Sequence, residues 1–237
     1  MPAPPSRFTD PGLVNERKFV GDARDLPFVL ALLDARLLPD RYHETGRINS
    51  VYLDTPKLRA WDEKANGDNL KRKVRARWYG RPEDLGAETP VFLELKRRIG
   101  SARDKARVRV AVPTDRLLRA PLSDPLWTEL FAEHAAELGE PVGPEWSPVC
   151  RIEYDRVRYN DLENGSRVSV DWAIEGFPNE DRFPWAAPVA LDALVCEFKN
   201  RGGAPPRWSE ALQGAGLRLR SFSKYGECML RITSGTP

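Results

Sequence analysis

Basic residues stand at every second position along a segment that is predicted to form a β-strand, residues 70–79. The alternating cations are Lys71, Lys73, Arg75 and Arg77. Because successive side chains of a strand point to opposite faces, these four share one face, and the residues between them are apolar except for Arg72. Arginine binds phosphate as a two-pronged fork and lysine as a movable point charge. The segment therefore has the chemistry of a surface that binds a polyanion.

Other predicted strands repeat this alternation with basic or mixed charge. The residues that share a face in this way are Glu16 and Lys18, Glu94 and Lys96, Lys105, Arg107 and Arg109, Arg151 and Glu153, Arg167 and Asp171, and Glu197 and Lys199. For a single strand, the simpler interpretation is the solvated outer face of an antiparallel sheet. Several such strands favour an interior in which the charged faces meet. Like charges crowded together repel, so their cost is offset when an anion lies between them.

The composition limits which classes of protein fit this pattern. The 237 residues are 41% hydrophobic and 30% charged, and 37 Lys and Arg against 35 Asp and Glu give a net charge of +2. Such a balance argues against a general nucleic-acid coat or a membrane-surface protein, where a basic excess is usual. The basic faces also carry almost no aromatic residues, which single-stranded nucleic-acid binding would use. We therefore expect no nucleic-acid partner.

Cysteine and histidine usage disfavours several kinds of site. Cys150, Cys196 and Cys228 are widely spaced and form no CxxC motif, so we predict reduced thiols rather than a zinc site or a disulfide framework. His43 and His134 are predicted to be exposed, and no Ser–His–Asp triad is indicated. Residues 1–14 lack a signal-peptide pattern and are predicted to be a flexible leader. No segment approaches the roughly 18 apolar residues of a membrane span, so a cytoplasmic protein is expected.

The predicted elements form one domain over residues 15–233. Strands are predicted at 15–20, 47–54, 70–79, 90–98, 105–112, 149–159, 167–175 and 191–201. Helices lie between some of them, with a helical middle over 113–138 and a final helix after Ser221. The spread of strands on both sides of the helical middle favours one closed sheet over two domains.

Several short motifs follow one another along the chain. They are Glu16-Arg-Lys-Phe, Ser50-Val-Tyr-Leu-Asp-Thr-Pro, Lys73-Val-Arg-Ala-Arg-Trp-Tyr-Gly, Val91-Phe-Leu-Glu-Leu-Lys, Leu194-Val-Cys-Glu-Phe-Lys, Pro206-Arg-Trp and Ser221-Phe-Ser-Lys-Tyr. In this order the chain resembles the VTC domain, the polyphosphate polymerase branch of the triphosphate tunnel (CYTH-like) superfamily. The resemblance covers nearly the whole chain and implies an α+β fold, a closed antiparallel eight-stranded β-barrel with flanking helices. It also implies transfer of the ATP γ-phosphoryl group onto a growing polyphosphate chain, with Mn²⁺ or Mg²⁺ as the cofactor.

The resemblance also implies roles for individual residues. Those expected in catalysis are Lys18, Arg75, Arg77, Lys96 and Lys199. Those expected to hold phosphates are Lys105, Arg151, Arg167 and Lys224, and the strand pattern adds Lys73 and Arg107. Glu197 is the expected principal metal ligand, with Glu94 and Glu16 as further candidates. From within the same interior, Asp171 and Glu153 are expected to order the arginines.

One departure bears on the reaction. Many triphosphate hydrolases of this superfamily begin with Glu-x-Glu-x-Lys, whereas Val14 stands at the first Glu position here, a variant similar to the VTC branch. A hydrolase of triphosphates on the same scaffold and a non-catalytic polyphosphate-binding protein remain alternatives. ATP and inorganic polyphosphate or triphosphate are the expected partners of a monomer. In eukaryotes the VTC domain is part of a membrane complex, so a membrane-protein partner stays open.

Overall fold

The computed structural model describes residues 15–65, 70–99, 102–139, 142–163, 165–200 and 206–235. Its strands are β1 (Asn15–Gly21), β2 (Leu38–Pro39), β3 (Thr45–Asp54), β4 (Leu70–Tyr79), β5 (Glu88–Ile99), β6 (Ala102–Pro113), β7 (Ser147–Asp161), β8 (Ser166–Pro178), β9 (Val189–Leu191), β10 (Leu194–Asn200) and β11 (Arg218–Leu219). Its helices are α1 (Leu26–Asp34), α2 (Arg59–Ala65), α3 (Thr114–Arg119), α4 (Leu126–Glu133), α5 (Ala135–Leu138), α6 (Trp208–Gly214) and α7 (Lys224–Ser234). Every long strand predicted from the sequence is present. The predicted leader, residues 1–14, lies outside the described residues.

The strands form one large antiparallel sheet that is open. Its order is β11-β1-β10-β8-β7-β3-β4-β5-β6, with β2 beside β7 and β9 beside β8. The prediction of a closed eight-stranded barrel was therefore wrong, since the described residues form an 11-stranded sheet whose two ends are not joined by hydrogen bonds.

The reason lies at the outer edge of β1. There Phe19 pairs with Leu219 of β11, and the Arg220 amide donates a hydrogen bond to the Lys18 carbonyl at 3.0 Å. Closure would require this same edge to pair with β6. Because a strand edge offers one row of backbone groups, β6 cannot pair with the part of this edge that β11 occupies.

One face of the sheet, called the inner face below, is divided between apolar and charged residues. Its apolar part lies against α7, whose buried residues Tyr225, Cys228, Met229 and Ile232 recur at helical spacing. They contact sheet residues such as Ile152 and Ile174. Helix and sheet approach closely at Gly176, where a Cβ would lie 3.0 Å from the Cys228 sulfur. The remaining part of the inner face carries the charges.

The opposite, outer face is covered by the other helices and provides the rest of the core. Trp127 and Phe131 of α4 lie in one cluster with Ala76 and Leu93 of the sheet. The Trp78 and Trp127 rings stack at 6.0 Å between centroids. Residues of α1 and α6 form a second cluster over β1, β8 and β10. Burial of the apolar outer face under helices fixes which side of each strand is left for the charged residues.

A bulge in β8 changes which of its residues face inward. Gly176 pairs with Ile152, whereas Asp171 pairs with Arg156, and the register shifts by one residue in between. Ala173, next to the shift, has a φ of 47°. Because the bulge adds one residue, an odd-numbered residue, Asp171, comes to lie on the same face as the even-numbered Gly176.

No helix among the described residues combines the length and apolar character needed to cross a membrane.

Candidate functional site

The charged part of the inner face, here named the charged face, is defined by the strand register. Residues paired directly across a sheet share a face. Its charged members with described side chains are Glu16, Lys18, Lys73, Arg75, Arg77, Glu94, Lys96, Lys105, Arg107, Arg109, Arg156, Arg158, Arg167, Asp171, Glu197 and Lys199. Lys224, the first residue of α7, reaches it from above the sheet.

Glu94 is the centre of the basic half of the charged face. It lies directly across from Arg75, whose Nε donates to its Oε2 at 2.6 Å. Its other oxygen contacts the Lys105 Nζ at 3.0 Å and the Arg107 Nε at 3.5 Å. Burial alone would raise the pKa of Glu94, but the charges of Arg75, Arg77 and Lys105 hold that pKa well below its usual range. Glu94 is therefore an ionised carboxylate, and three cations contact it directly: Arg75, Lys105 and Arg107.

Arg77 is a buried cation without a carboxylate partner among the described residues. Its side chain donates to the Ser50 hydroxyl at 3.0 Å and to the Tyr154 hydroxyl at 3.2 Å, and both partners are neutral. Only 8% of the residue is exposed. Lys73 also forms no ion pair within the described ranges, and its Nζ lies 4.9 Å above the Tyr52 ring. A buried charge that is hydrogen-bonded but not neutralised attracts an anion.

Tyr52 and Lys73 have pKa values that bring their titration near neutral pH. Burial would raise the pKa of Tyr52, but the positive charges of Lys73, Arg75 and Arg77 outweigh it and lower the pKa to about 7. Burial, helped by the charge of Arg75, lowers the pKa of Lys73 to about 8 despite the opposing effect of Tyr52. The Tyr52 hydroxyl also accepts a hydrogen bond from Arg75 at 3.2 Å. The charge of this half therefore falls as the pH rises above neutral.

Two carboxylates and two lysines form a second group, on β1 and β10. Lys18 lies 2.9 Å from Glu16 and 3.5 Å from Glu197, while Lys199 lies 2.7 Å from Glu197 and 3.8 Å from Glu16. Burial would raise the pKa of Glu197, but Lys199 and Lys18 lower it to about 2. Both carboxylates share the same lysines, so they are neighbours on the charged face.

The donor set at Glu16 and Glu197 fits a divalent metal that is shared with a phosphate. No group of three Asp, Glu, His or Cys side chains among the described residues is arranged to hold a metal by itself. Mg²⁺-type ions, however, are usually held by one or two carboxylates, with waters and substrate phosphates completing the shell. Glu94 fits less well, because both of its register partners are arginines, Arg75 and Arg107, so no second carboxylate lies directly across from it.

A third group joins α7 to the sheet. Asp171 is fully buried and receives Arg156 through both Nε at 2.5 Å and Nη2 at 2.7 Å. The Lys224 Nζ donates to the same carboxylate at 2.5 Å and lies 4.4 Å above the Tyr154 ring. Nearby, the Lys18 Nζ donates to the Phe222 carbonyl at 3.0 Å. These contacts fix the start of α7 against the charged face.

The structure brings together all but two of the residues that the sequence nominates for the site. The exceptions are Arg151, which pairs with Val51, and Glu153, which pairs with Asn49; both lie on the outer face, with 2.9 Å between the Arg151 Nε and the Glu153 carboxylate. The prediction assumed that the charged side of β7 faces inward. In the structure the inward side is apolar under α7, at Cys150 and Ile152, and becomes charged further along the strand.

Two arginines and four aromatic residues of the charged face were missed. Arg156 and Arg158 are even-numbered, like the apolar Ile152 on the same strand. Strict alternation therefore placed them on the apolar face, and they were not nominated for the site. The expectation that the basic faces carry almost no aromatics was wrong, because Tyr52, Tyr79, Phe92 and Tyr154 all lie on the charged face. Tyr79 is an even number of residues from Arg75, and Phe92 is two residues from Glu94. The alternation in the sequence was therefore enough to place both aromatic residues on the charged face.

The fold and the site together describe a class of protein: an open antiparallel sheet with helices on its outer face and a cation-rich inner face. The chain is a member of the VTC domain family, whose model matches residues 13–233.

Among characterised proteins, the chain is similar to vacuolar transporter chaperone complex subunit 4 of Trypanosoma brucei brucei (strain 927/4 GUTat10.1). The two are 25% identical over 268 residues, an alignment that covers 90% of this chain and 34% of that protein. The chain thus spans about a third of the length of this relative.

Solved structures of low sequence identity are also similar to the chain. A candidate adenylate cyclase from Bacillus halodurans is 10% identical, with a TM-score of 0.48 and coverage of 88% of this chain and 92% of the other. A candidate adenylate cyclase from Vibrio parahaemolyticus is 12% identical, with a TM-score of 0.48 and coverage of 92% and 97%. A conserved protein from Pyrococcus furiosus is 15% identical, with a TM-score of 0.45 and coverage of 91% and 99%.

Proposed function

We propose that the protein is a polyphosphate polymerase, which transfers the γ-phosphoryl group of ATP onto a growing inorganic polyphosphate chain with Mn²⁺ or Mg²⁺. The observation that carries this proposal is the excess of cations beside Glu94. Lys73, Arg75, Arg77, Lys105 and Arg107 have one carboxylate partner, Glu94, among the described residues. A chain of phosphates supplies the missing negative charge. Membership of the VTC domain family supports the same substrate class.

In this proposal the basic half of the charged face holds the phosphates that react. Phosphoryl transfer needs little covalent chemistry from the protein, so positioning and charge neutralisation carry the rate. The Glu94 carboxylate holds Arg75 in one orientation by contacting two guanidinium nitrogens, Nε and Nη2. The third nitrogen, Nη1, donates to the Tyr52 hydroxyl. Arg77 is held by Ser50 and Tyr154 and forms no ion pair within the described ranges. Both guanidinium groups are therefore fixed before substrate arrives.

The carboxylates of Glu197 and Glu16 would hold the divalent metal. When bound, the metal would supply positive charge against the phosphate oxygens. Lys18 and Lys199 keep both carboxylates ionised and in place. We assign Glu94 to the positioning of Arg75 instead.

The remaining cations would bind the acceptor chain. Arg156 on β7 and Arg167 on β8 extend the charged face away from Glu94. Lys224 reaches it from the start of α7, and Lys96 lies across from Lys73. An oxygen of the terminal phosphate of the acceptor attacks the γ-phosphorus, the bond from that phosphorus to the bridging oxygen of ADP breaks, and ADP leaves with the electron pair. The polyphosphate chain is then one phosphate longer.

A hydrolase on the same face is the second candidate, and Tyr52 is the observation that favours it. Since its pKa is lowered to about 7, Tyr52 is partly a phenolate near neutral pH, and the phenolate beside Arg75 could accept a proton from an attacking water. In a polymerase no such base is needed, because the terminal phosphate of the acceptor is already an anion.

The test is to incubate the protein with ATP and Mn²⁺ or Mg²⁺ and to separate the products by gel electrophoresis. Long-chain polyphosphate that is lost in Arg77→Met and Glu197→Gln supports the polymerase. Release of orthophosphate alone identifies the hydrolase, and tight polyphosphate binding without turnover under either metal identifies a binding protein. Arg24→Met, at a side chain that is 88% exposed, is the matched control and should retain full activity.

A further inference from the structure

Aromatic rings and guanidinium groups meet at the end of the charged face that lies away from α7. The Tyr79 and Phe92 rings are 5.7 Å apart, edge to face. The Arg107 guanidinium lies 3.8 Å over the Phe92 ring, and its Nη2 donates to the Tyr79 hydroxyl at 3.3 Å. From the other side, the Arg158 guanidinium lies 5.9 Å over the Tyr79 ring. These four residues are called the ring cluster below.

The ring cluster is accessible from solvent, unlike the rest of the aromatic residues on the charged face. Tyr79 is 37% exposed, whereas Tyr52 and Tyr154 are each 2% exposed. On the strand between Tyr79 and Arg156 stands Gly46, and no atom lies within 4 Å of the position where a Cβ would be. The exposed part of the Tyr79 ring can therefore be reached by a flat group, and the space over Gly46, diagonal to it, is also open.

The cluster also lies at a useful distance from the phosphate-binding arginines. Tyr79 follows Arg77 and Arg75 on the same face of β4. Tyr79 lies four positions along the strand from Arg75, which is roughly 13 Å at ~3.3 Å per residue. The opposite end of this row is closed, because Tyr52, the partner of Arg75, stacks on Tyr225 of α7 with 4.8 Å between the rings.

We propose that the ring cluster is a stacking platform for the base of a nucleoside triphosphate whose phosphates lie along Arg77 and Arg75. Nucleobases stack on aromatic rings and on the plane of an arginine guanidinium, and the cluster offers both. The platform distinguishes a nucleotide from a bare phosphate chain, so it makes the protein selective for the nucleotide donor. This inference rests on the proposed function, because it takes the phosphates of the donor to lie on Arg75 and Arg77.

Two ligands with the same three phosphates test the platform by calorimetric titration: ATP, and inorganic tripolyphosphate, which has no nucleoside. Tyr79→Ala and Phe92→Ala should each weaken ATP binding by about tenfold, within the range for loss of a base–aromatic stack, and leave tripolyphosphate binding unchanged. Tyr79→Phe keeps the ring and should retain ATP affinity. Trp185→Ala, at an aromatic that is 64% exposed elsewhere, is the control and should change neither titration.

Equal losses for ATP and tripolyphosphate in Tyr79→Ala, or no loss for either, would overturn the platform. An unchanged unfolding midpoint in each alanine variant excludes misfolding as the cause of a loss. Wild-type protein that binds tripolyphosphate as tightly as ATP overturns the platform and leaves the phosphate-binding face standing. Wild-type protein that binds neither ligand contradicts the proposed function itself.

Discussion

Arg75 and Glu94 face each other across β4 and β5, with 2.6 Å between Nε and Oε2. One position further along the same face, Arg77 lies across from Phe92 and has neutral hydrogen-bond partners in place of a carboxylate. Both side chains are guanidinium groups on the same face of β4, and both are hydrogen-bonded to the protein. They differ in whether the protein itself supplies the counter-charge, and this difference leads to opposite predictions for their replacement.

Replacement of Arg75 should destabilise the fold. Arg75→Met leaves the buried Glu94 without its closest partner, and breaking a buried ion pair in this way costs about 3 kcal/mol. Burial would lower the pKa of Arg75, but Glu94 raises it overall, which shows the strength of the coupling. Urea unfolding of the variant measures the loss. A free energy of unfolding equal to that of the wild type would contradict the pairing.

Replacement of Arg77 should leave stability unchanged or increase it. Arg77→Met removes a buried charge that forms no ion pair among the described residues and whose hydrogen bonds go to two hydroxyl groups. We expect the free energy of unfolding to stay within about 1 kcal/mol of the wild-type value or to rise. The same urea titration applies, so the two arginine variants serve as controls for each other. A large destabilisation by Arg77→Met would show that an internal counter-charge is present.

Binding of tripolyphosphate should weaken as the pH rises from below 7 to above 8. Tyr52 gains a negative charge as it titrates near pH 7, and Lys73 loses its positive charge near pH 8. We expect a decrease of about tenfold in affinity, the equivalent of one pKa unit of interaction. Calorimetry at a series of pH values measures it. The double variant Tyr52→Phe, Lys73→Arg lacks both titrations, so its profile should be flatter; an equally steep profile would contradict the assignment.

The stability of the free protein should change with pH in the opposite direction. Both pKa values lie below those of the unfolded chain, about 10 for tyrosine and about 10.4 for lysine. Between roughly pH 7 and 10 the unfolded state therefore binds more protons than the folded state, and stability rises with pH. Thermal unfolding of wild type and of the double variant measures this slope. A wild-type midpoint that falls relative to that of the variant over this range would refute the lowered pKa values.

Asp54 should be a structural residue whose loss destabilises the fold without touching a ligand. Its carboxylate is fully buried and accepts from the amides of Thr55, Ala60 and Trp61, and from the Tyr225 hydroxyl at 2.7 Å. Asp54→Ala leaves these donors unsatisfied, so we expect a loss of about 3 kcal/mol in urea unfolding. Asp40→Ala, at a more exposed carboxylate that accepts from two loop amides, should cost less. Equal losses would contradict this role.

The alternation of Lys73, Arg75 and Arg77 predicted their strand and their shared face, because Val74 and Ala76 between them are apolar and buried under the outer helices. The same reasoning failed for Arg151. It assumes one apolar and one charged face along a whole strand, whereas the inner face of β7 changes character where α7 ends its cover. The packing of α7, which is distant in sequence, decides where the inner face of β7 changes from apolar to charged. The local alternation of residues cannot predict that position.

The bulge beside Ala173 and the open sheet lay beyond the sequence pattern for a related reason. A shift of one residue reverses the parity that the alternation depends on, and no residue near Ala173 marks the shift. Likewise, β11 has two residues, too few to show a pattern, yet it occupies part of the β1 edge with which β6 would have to pair to close the sheet. Both features depend on contacts between distant parts of the chain.

The measurement that tests the central claim most directly is the titration of inorganic tripolyphosphate into wild type and Arg77→Met at one pH and salt concentration. The proposed phosphate-binding face predicts one binding site in the wild type and an affinity at least about tenfold weaker in the variant, consistent with a lost charge-assisted contact. The free energy of unfolding of the variant should stay within about 1 kcal/mol of the wild-type value or exceed it. No binding by the wild type, or equal affinity in the variant, would contradict the claim that the charged face binds a chain of phosphates.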